Sequence, residues 1–295
     1  MYFVPIMKKV QTGQVIEFYS NSCLVETEFG QVSSMAIKNI VVGDYVELEI
    51  IQDSKALKGK ILNILERQTK LSKIEGDKSK LFAANISHVG IITTPNPKTS
   101  SEFIDKWILK SKLSNIMPFI INNKMDLESD QEYKDKLDIY RKIDITIINC
   151  SAKYGDNIND LIKFLKNKSI LFVGNSGAGK SSLSSRLIGK SLKTNNLSNN
   201  QGVHTTSLSS LYALENNTKI IDSPGMRDIQ INNYPKEQII YGFEEILNAS
   251  KYCKFSDCNH INNEGCFVMK CLDNGQINQS RYNNFIKLRD DEKYK

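Results

Sequence analysis

The sequence contains no apolar run close to the roughly 18 consecutive residues that a membrane-spanning helix needs, so it predicts no transmembrane segment. Its first ten residues also lack the apolar core of a signal peptide, because Pro5, Lys8 and Lys9 interrupt that stretch. Internal repeats are absent as well. From these absences we expect a globular protein that stays in the cytoplasm and contacts no membrane.

Cysteine is scarce, with six in 295 residues. In a cytoplasmic chain so few cysteines do not indicate disulfides. Cys23 and Cys150 stand alone in apolar, strand-like surroundings, which predicts buried structural thiols. The other four lie in one short stretch near the C-terminus: Cys253, Cys258, Cys266 and Cys271.

Three of these cysteines and one histidine have the chemistry and the spacing of a zinc site. Cys253, Cys258, His260 and Cys266 offer three thiolates and an imidazole, and their short spacings allow one loop to surround one ion. Four protein ligands leave no open position, so the pattern predicts one structural Zn²⁺. Two alternatives stay open: Cys271 could replace one ligand, or the thiols could be reduced and bind no metal.

The net charge of +6 allows two interpretations. One is an ordinary basic surface, and the other is contact with nucleic acid. Charge alone does not decide between them.

The spacing of apolar residues along the chain predicts three domains. Short strand-like runs at 13–18, 23–27 and 45–50, separated by turn residues, predict a small β-barrel. A five-strand oligonucleotide-binding (OB-like) barrel that binds RNA has the right size, and a barrel without a ligand is the alternative. A helix, the Cys/His cluster and a terminal helix form a C-terminal helical zinc-binding module. The predicted boundaries are 1–70, 71–232 and 233–295.

The middle domain alternates strands and helices, which predicts a mostly parallel α/β sheet. Phe103, Ile104 and Trp107 follow helical spacing and read as core, and 158–165 reads as a second helix. Each candidate ligand motif comes directly after a strand, at the edge where open α/β sheets bind ligands. The predicted strands are 88–93, 116–121, 145–149, 170–173 and 219–221.

A phosphate-binding loop of the pattern G-x-x-x-x-G-K-[ST] follows the strand at 170–173. Its glycines let backbone N–H groups approach phosphate oxygens, and the helix that begins near Gly179 presents its N-terminus to the anion. We expect Lys180 to reach the β- and γ-phosphates and the Ser181 hydroxyl to bind Mg²⁺. The loop and its helical continuation comprise Gly174, Asn175, Ser176, Gly177, Ala178, Gly179, Lys180, Ser181 and Ser182.

A guanine-reading segment of the pattern N-K-x-D consists of Asn123, Lys124, Met125 and Asp126. The Asp126 carboxylate can accept hydrogen bonds from both N1–H and the exocyclic amine of guanine. Adenine lacks this pair of donors and would leave a buried carboxylate unpaired. We expect Asn123 to meet the base edge and Lys124 to pack beside the ribose. In isolation the motif could be a polar turn, but Ser151, Ala152 and Lys153 follow the next strand, as in loops whose backbone contacts guanine O6.

Two further motifs complete a nucleotide switch. Asp222 and Gly225 fit D-x-x-G, with the carboxylate holding Mg²⁺ and the glycine N–H sensing the γ-phosphate. Either Thr205 or Thr206 would complete the Mg²⁺ shell, and the sequence does not choose between them.

The order of these motifs is unusual, because the base reader lies about fifty residues before the phosphate loop and not after it. Together the motifs resemble those of the circularly permuted GTPases, most closely the ribosome small-subunit-dependent GTPase A family, over nearly the whole chain. The resemblance implies GTP hydrolysis to GDP, stimulated by the small (30S) ribosomal subunit, and a role in late maturation of that subunit. It also implies contact with ribosomal RNA.

Several positions depart from the expected patterns. Met226 stands where many GTPases have a glutamine that orients the attacking water. We therefore predict His204 as the catalytic group that positions this water, beside Lys180; an exposed loop histidine without a catalytic role is the alternative. Val203 replaces a residue that is usually basic, and Ser223 replaces a usual threonine.

These features predict a monomeric GTPase with GTP or GDP, Mg²⁺ and one structural Zn²⁺ as its cofactors. Two rivals remain. The first is a zinc-stabilised RNA-binding module that GTP switches and that barely turns over, which steady-state hydrolysis with and without small subunits distinguishes. The second is a P-loop kinase or ATPase, which the residues 123–126 disfavour and nucleotide competition tests.

Overall fold

The computed structural model describes residues 9–52, 57–75, 78–189, 209–214, 216–222, 229–231 and 234–290. The strands are β1 (Lys9–Phe18), β2 (Ser22–Thr27), β3 (Gly30–Met35), β4 (Tyr45–Gln52), β5 (Leu57–Ile64), β6 (Lys70–Glu75), β7 (Lys78–Ala84), β8 (His88–Thr93), β9 (Met117–Asn122), β10 (Ile147–Asn149), β11 (Ser169–Gly174), β12 (Ser209–Ala213) and β13 (Lys219–Asp222). The helices are α1 (Ser101–Leu113), α2 (Gln131–Lys142), α3 (Ile158–Leu165), α4 (Lys180–Ile188), α5 (Glu244–Ser250), α6 (Phe267–Asp273) and α7 (Gln279–Asp290), with a 3₁₀ helix at Lys236–Gly242.

The chain forms two compact units. The first contains the described parts of Met1–Ser87 and Ser181–Met226 together with Ile162–Phe172. The second contains His88–Leu161, Val173–Lys180 and the described part of Arg227–Lys295. The three-domain division at residues 70 and 232 stays a prediction.

Within the first unit, five strands close into a barrel. The strands pair in the order β1-β2-β3-β5-β4, and β4 pairs again with β1. The alternating apolar side chains of these strands point inward, as the period of two along a strand requires. Val15, Val25, Val46 and Leu48 form the fully buried centre of the barrel. The predicted five-strand barrel is confirmed.

The barrel is joined to the strands that follow the phosphate loop. β1 pairs antiparallel with β12 through Glu17–Ser210 and Phe18–Ser209, and β12 pairs antiparallel with β13, which ends at Asp222. β13 also pairs in parallel with β11. One ladder of backbone hydrogen bonds therefore runs, inside this unit, from the barrel to the D-x-x-G strand.

Within the second unit, β10, β9 and β8 form a parallel sheet. Helix α1 contacts β8, β9, α7 and the 3₁₀ helix, which explains why polar residues of α1 are buried beside its apolar ones. Phe103, Ile104 and Trp107 are core residues, as predicted. The predicted strands agree with β8, β9, β10, β11 and β13, and the predicted helix at 158–165 with α3.

A buried ion-pair network connects α7 to α1 and α5. Arg281 is 2% exposed and donates to Asp105 (2.6 Å) and Glu245 (2.8 Å), while its guanidinium lies 4.3 Å from the Phe243 ring centre. Tyr140 donates a further hydrogen bond to Asp105 (2.8 Å). Charges are rarely this buried unless they are paired, so this network fixes the C-terminal helix to the rest of the unit.

Across the described part of the chain, the search for a helix both long enough and apolar enough to span a membrane finds none.

Candidate nucleotide and metal sites

Asn123 joins three segments that are far apart in the sequence. It follows β9 directly, and its side chain is 1% exposed. Its amide nitrogen donates to Ala178 O in the phosphate loop (2.9 Å), and its amide oxygen accepts from Ala152 N (2.9 Å). The base-reading segment, the S-A-K segment and the phosphate loop are therefore held together by one side chain. The amide nitrogen carries a second hydrogen. We still predict that this hydrogen is donated to the base.

Asp126 is exposed, and one carboxylate oxygen accepts from the Ser151 hydroxyl (2.6 Å). Ser151 is fully buried and its hydroxyl also accepts from Tyr154 N (3.2 Å). This contact orients the carboxylate while leaving its second oxygen to accept from a ligand, since each oxygen has two lone pairs.

The neighbours of Asp126 form the rest of the predicted base site. Lys124 has a left-handed backbone (φ 60°), and its ammonium donates to Asn96 O (2.9 Å). Met125 is half exposed and its N–H donates to Cys150 O (3.2 Å), while Lys153 is exposed with its ammonium 4.7 Å from the Tyr154 ring centre. Lys124 and Met125 thus follow a backbone path fixed by the adjacent loop.

The phosphate loop follows β11 and leads into α4, which begins at Lys180. Gly179 has a positive φ of 90°, and a Cβ there would lie 2.4 Å from the Asn123 amide nitrogen. Glycine is therefore required at 179 for two reasons: the backbone is left-handed, and the base-reading segment packs against it. Gly177 has a positive φ of 76°, and both Gly177 and Ser176 are exposed.

Lys180 lies across its own loop. Its ammonium donates to Gly174 O (2.6 Å) and to Asn175 O (3.0 Å). This position keeps the positive charge at the loop, where a phosphate would be bound by the backbone N–H groups. Ser181 and Ser182 are exposed in the first turn of α4.

The switch residues are only partly described. Asp222 is half-buried at the end of β13, opposite Ser210 of β12. It and Ser181 belong to the first unit, and their assignment to Mg²⁺ stays a prediction. His204, Thr205, Thr206 and Gly225 lie outside the described residues.

Cys253, Cys258, His260 and Cys266 form a cluster whose ligand atoms all lie within 4.8 Å of one another. Cys253 Sγ is 3.7 Å from His260 Nδ1 and 4.0 Å from Cys266 Sγ, and Cys266 Sγ is 3.8 Å from His260 Nδ1. A tetrahedral zinc ion with bonds of about 2.3 Å to sulfur separates its ligands by about 3.7 Å. The donor set and its spacing fit Zn²⁺, and Nδ1 is the His260 nitrogen that would hold it.

The fold around the cluster favours thiolate at Cys253. Burial raises the pKa of this thiol, but hydrogen bonds from the N–H groups of Val268 and Phe267 and from the thiols of Cys258 and Cys266 outweigh it and lower the pKa. Burial raises the pKa of Cys266 to about 11. Since a metal binds thiolates, the N-terminal amides of α6 favour the charged ligand at one corner of the cluster.

Cys271 is buried on α6 and is not among the residues of this cluster. Cys23 and Cys150 are buried as predicted, with Cys150 Sγ 3.9 Å from the Asn123 amide oxygen.

Some residues near the base site belong to no motif and could hardly be identified from the sequence. Thr93, Asn122 and Asn149 are the last residues of three neighbouring strands, and Tyr133 of α2 contacts two of them. A polar residue at the end of an apolar strand, directly before a ligand motif, is the sequence signal that could have identified Asn122 and Asn149. Tyr133 had no such signal.

Comparison with known proteins gives consistent matches. A family model described as RsgA GTPase matches residues 64–232. The chain is 34% identical to the small ribosomal subunit biogenesis GTPase RsgA of Actinobacillus pleuropneumoniae, over 96% of this chain and 86% of that protein. It is similar to the crystal structure of YjeQ from Thermotoga maritima (29% identity, TM-score 0.75, 95% of this chain and 98% of that one). Its fold is also that of YloQ, described as a circularly permuted GTPase (22% identity, TM-score 0.73, 99% and 98% covered).

Proposed function

The chain belongs to the RsgA GTPase family, and from that premise we propose that it hydrolyses GTP to GDP on the small ribosomal subunit and assists late maturation of that subunit. The name of its Actinobacillus relative, a small ribosomal subunit biogenesis GTPase, supports both the reaction and the partner. The observation that carries the proposal is the Asn123 side chain, which unites the base-reading, S-A-K and phosphate-loop segments. Binding of one guanine nucleotide requires these three segments to lie side by side, and the Asn123 side chain holds them so.

In this proposal the nucleotide is held from two ends. Asp126 reads the N1–H and exocyclic amine of guanine, while the backbone of Ser151–Lys153 meets O6. The N–H groups of residues 174–179 and the ammonium of Lys180 bind the phosphates, because an anion is stabilised by converging donors and by a helix N-terminus. The contacts of Asp126 with Ser151 and of Lys180 with its loop support these roles.

Ser181 and Asp222 are assigned to Mg²⁺, together with Thr205 or Thr206. With these residues holding it, the ion would supply positive charge to offset the charge that develops on the transferred phosphoryl group. Water attacks the γ-phosphate in line, and Lys180 and the loop N–H groups stabilise the charge as it develops. Gly225 would sense the γ-phosphate through its N–H.

The decisive experiment is steady-state GTP hydrolysis titrated with purified small ribosomal subunits. We expect slow hydrolysis by the chain alone and saturable acceleration by the subunits, because a partner is needed to order a water-positioning group in the absence of glutamine at Met226. Lys180→Ala serves as the inactive control. If the chain bound nucleotide but no subunit concentration accelerated hydrolysis, the proposal would be rejected in favour of the alternative, an RNA-binding protein that GTP switches.

His204→Ala should lower the rate of subunit-stimulated hydrolysis about a hundredfold. This factor is at the lower end of the rate loss that follows removal of a group that moves or positions a proton in the transition state. GDP and GTP affinity should change little, because the proposed role of His204 concerns the attacking water only. Single-turnover hydrolysis and calorimetric GDP binding measure the two quantities. An equal loss in both would assign His204 a structural role.

Metal analysis of the purified chain should find one zinc ion, and Cys253→Ser should lower this to near zero. Cys271→Ser is the matched control, because Cys271 is buried nearby but lies outside the cluster. Loss of metal should also lower thermal stability, since binding of a structural metal contributes to folding. If Cys271→Ser and Cys253→Ser lost zinc equally, the ligand set would have to include Cys271.

The remaining parts of the proposal concern the partner. The barrel and the zinc-binding module would contact the subunit and its ribosomal RNA, and the chain would act as a monomer in the cytoplasm. Light scattering of the chain with and without subunits tests the stoichiometry, with one chain per subunit expected.

A further inference from the structure

Three polar side chains end three neighbouring strands of the second unit. Thr93 ends β8, Asn122 ends β9 and Asn149 ends β10. The register pairs Asn122 with Thr93 on one side and with Asn149 on the other. Residues in one register row of a sheet project from the same face, so the three side chains form a row directly before the strands give way to the base-site loops.

A chain of hydrogen bonds runs along this row and through Tyr133 of α2. Tyr133 Oη donates to Asn122 Oδ1 (2.6 Å), and Asn122 Nδ2 donates to Asn149 Oδ1 (3.0 Å). Thr93 Oγ1 lies 2.6 Å from Tyr133 Oη. A phenol has one proton, which Asn122 receives, so the Thr93 hydroxyl must be the donor to Tyr133. The direction is therefore Thr93 to Tyr133 to Asn122 to Asn149.

This chain of hydrogen bonds joins the two ends of the base-reading loop. The loop at 123–130 begins after Asn122 and ends at Asp130, which caps α2 by accepting from Tyr133 N (2.9 Å). The Tyr133 hydroxyl thus links the helix that ends the loop to the strand that begins it. Tyr133 is 2% exposed, and burial raises its pKa to about 12, so it keeps its proton.

The residues that follow the row are the ones assigned to guanine. Asn123 comes after Asn122, and Ser151 comes two residues after Asn149. The loops that carry them are also joined by backbone bonds, from Cys150 N to Asn122 O (2.8 Å) and from Met125 N to Cys150 O (3.2 Å). Displacement of Asn122 against Asn149 would therefore move Asp126 relative to Ser151, its hydrogen-bond partner.

We propose that Tyr133 is a positioning residue for guanine recognition, which acts through Asn122 and Asn149 to hold Asp126 in register with the S-A-K segment. The inference rests on the proposed function, because it assumes that these loops bind guanine. It assigns Tyr133 no part in the chemistry. Its effect should be on the choice of base and not on the hydrolytic step.

The test is Tyr133→Phe, which keeps the buried ring and removes the hydroxyl. Loss of one buried hydrogen bond that orders the loop should weaken GDP binding about three- to tenfold. The preference for GDP over IDP, whose base lacks the exocyclic amine, should fall by a similar factor. The rate of hydrolysis at saturating GTP should stay that of the unaltered chain.

Tyr140→Phe is the matched control. Tyr140 is on the same helix, is 1% exposed, and its hydroxyl bonds to Asp105 and Ser101 O, away from the base loops. Both variants should melt at a lower temperature, but only Tyr133→Phe should lower the ratio of GDP to IDP affinity. If Tyr133→Phe does not fold, Thr93→Val, which removes the first donor of the same chain, should lower the ratio, and Thr93→Ser should restore it.

An unchanged ratio of GDP to IDP affinity in Tyr133→Phe, or in Thr93→Val where that variant replaces it, overturns the inference and makes Tyr133 a packing residue. Failure of the proposed function gives a different result. In that case the unaltered chain would not prefer GDP over IDP and ADP, and both proposals would be rejected together.

Discussion

Asp126→Asn is expected to exchange guanine for xanthine as the preferred base. A carboxylate accepts from two donors, whereas an amide offers one acceptor and one donor. The asparagine NH₂ would face the exocyclic amine of guanine, donor against donor, but would match the carbonyl that xanthine carries at that position. One hydrogen bond to a charged acceptor is lost and the other becomes a weaker bond to a neutral oxygen, at a cost of about 3 kcal/mol in total, so GDP affinity should fall about a hundredfold.

Calorimetric titration with GDP and XDP measures this exchange. Glu128→Gln is the control, because it removes one charge from an exposed residue of the same loop and should leave both affinities unchanged. Retention of full GDP selectivity by Asp126→Asn would show that another group reads the base. The Ser151 hydroxyl can still bond to the asparagine amide oxygen, so the loop itself should remain ordered.

Arg281→Met should destabilise the second unit by about 3–5 kcal/mol, the usual effect of removing one partner of a buried ion pair. Methionine fills a similar volume but leaves Asp105 with no cation at a site that is 0% exposed. The chain has one tryptophan, Trp107, two residues from Asp105 on α1. Its fluorescence during urea unfolding therefore reports directly on the part of the unit that the substitution affects.

Lys287→Met provides a close comparison on the same two helices. Lys287 of α7 pairs with Glu102 of α1 (2.7 Å), but the lysine side chain is 53% exposed. Exposed ion pairs contribute at most about 1 kcal/mol, because solvent screens them. Equal losses in the two variants would mean that α7 is held by its apolar contacts and that the buried network contributes little.

Much of the fold could be predicted because it depends on local patterns. Apolar runs ending at Thr93 and near Asn122 predict strands of the right length, and the spacing of Phe103, Ile104 and Trp107 predicts the buried face of α1. The Cys/His cluster could be predicted in the same way from its residue types and close spacing, and its binding of zinc stays a prediction. The switch residues Thr205 and His204 stay predictions.

The features that could not be predicted depend on contacts between distant polar residues. Asp105 and Arg281 are 176 residues apart, and charged residues in a helix usually face solvent. Only a helix packed on both the sheet and the C-terminal helices buries Asp105. Tyr133 is a comparable case, because nothing in its own segment indicates that its hydroxyl reaches the ends of β8 and β9.

The ladder from β1 through β12 to β13 has a mechanical consequence. Backbone hydrogen bonds of neighbouring strands hold their register, and a shift of one residue would turn every side chain to the opposite face. In the described part of the first unit, β12 pairs directly with the barrel strand β1 and with β13, which ends at Asp222. If a docked partner displaced the barrel, β12 and β13 would be displaced with it, because the paired strands keep their register. The Asp222 carboxylate at the end of β13 would therefore move as well.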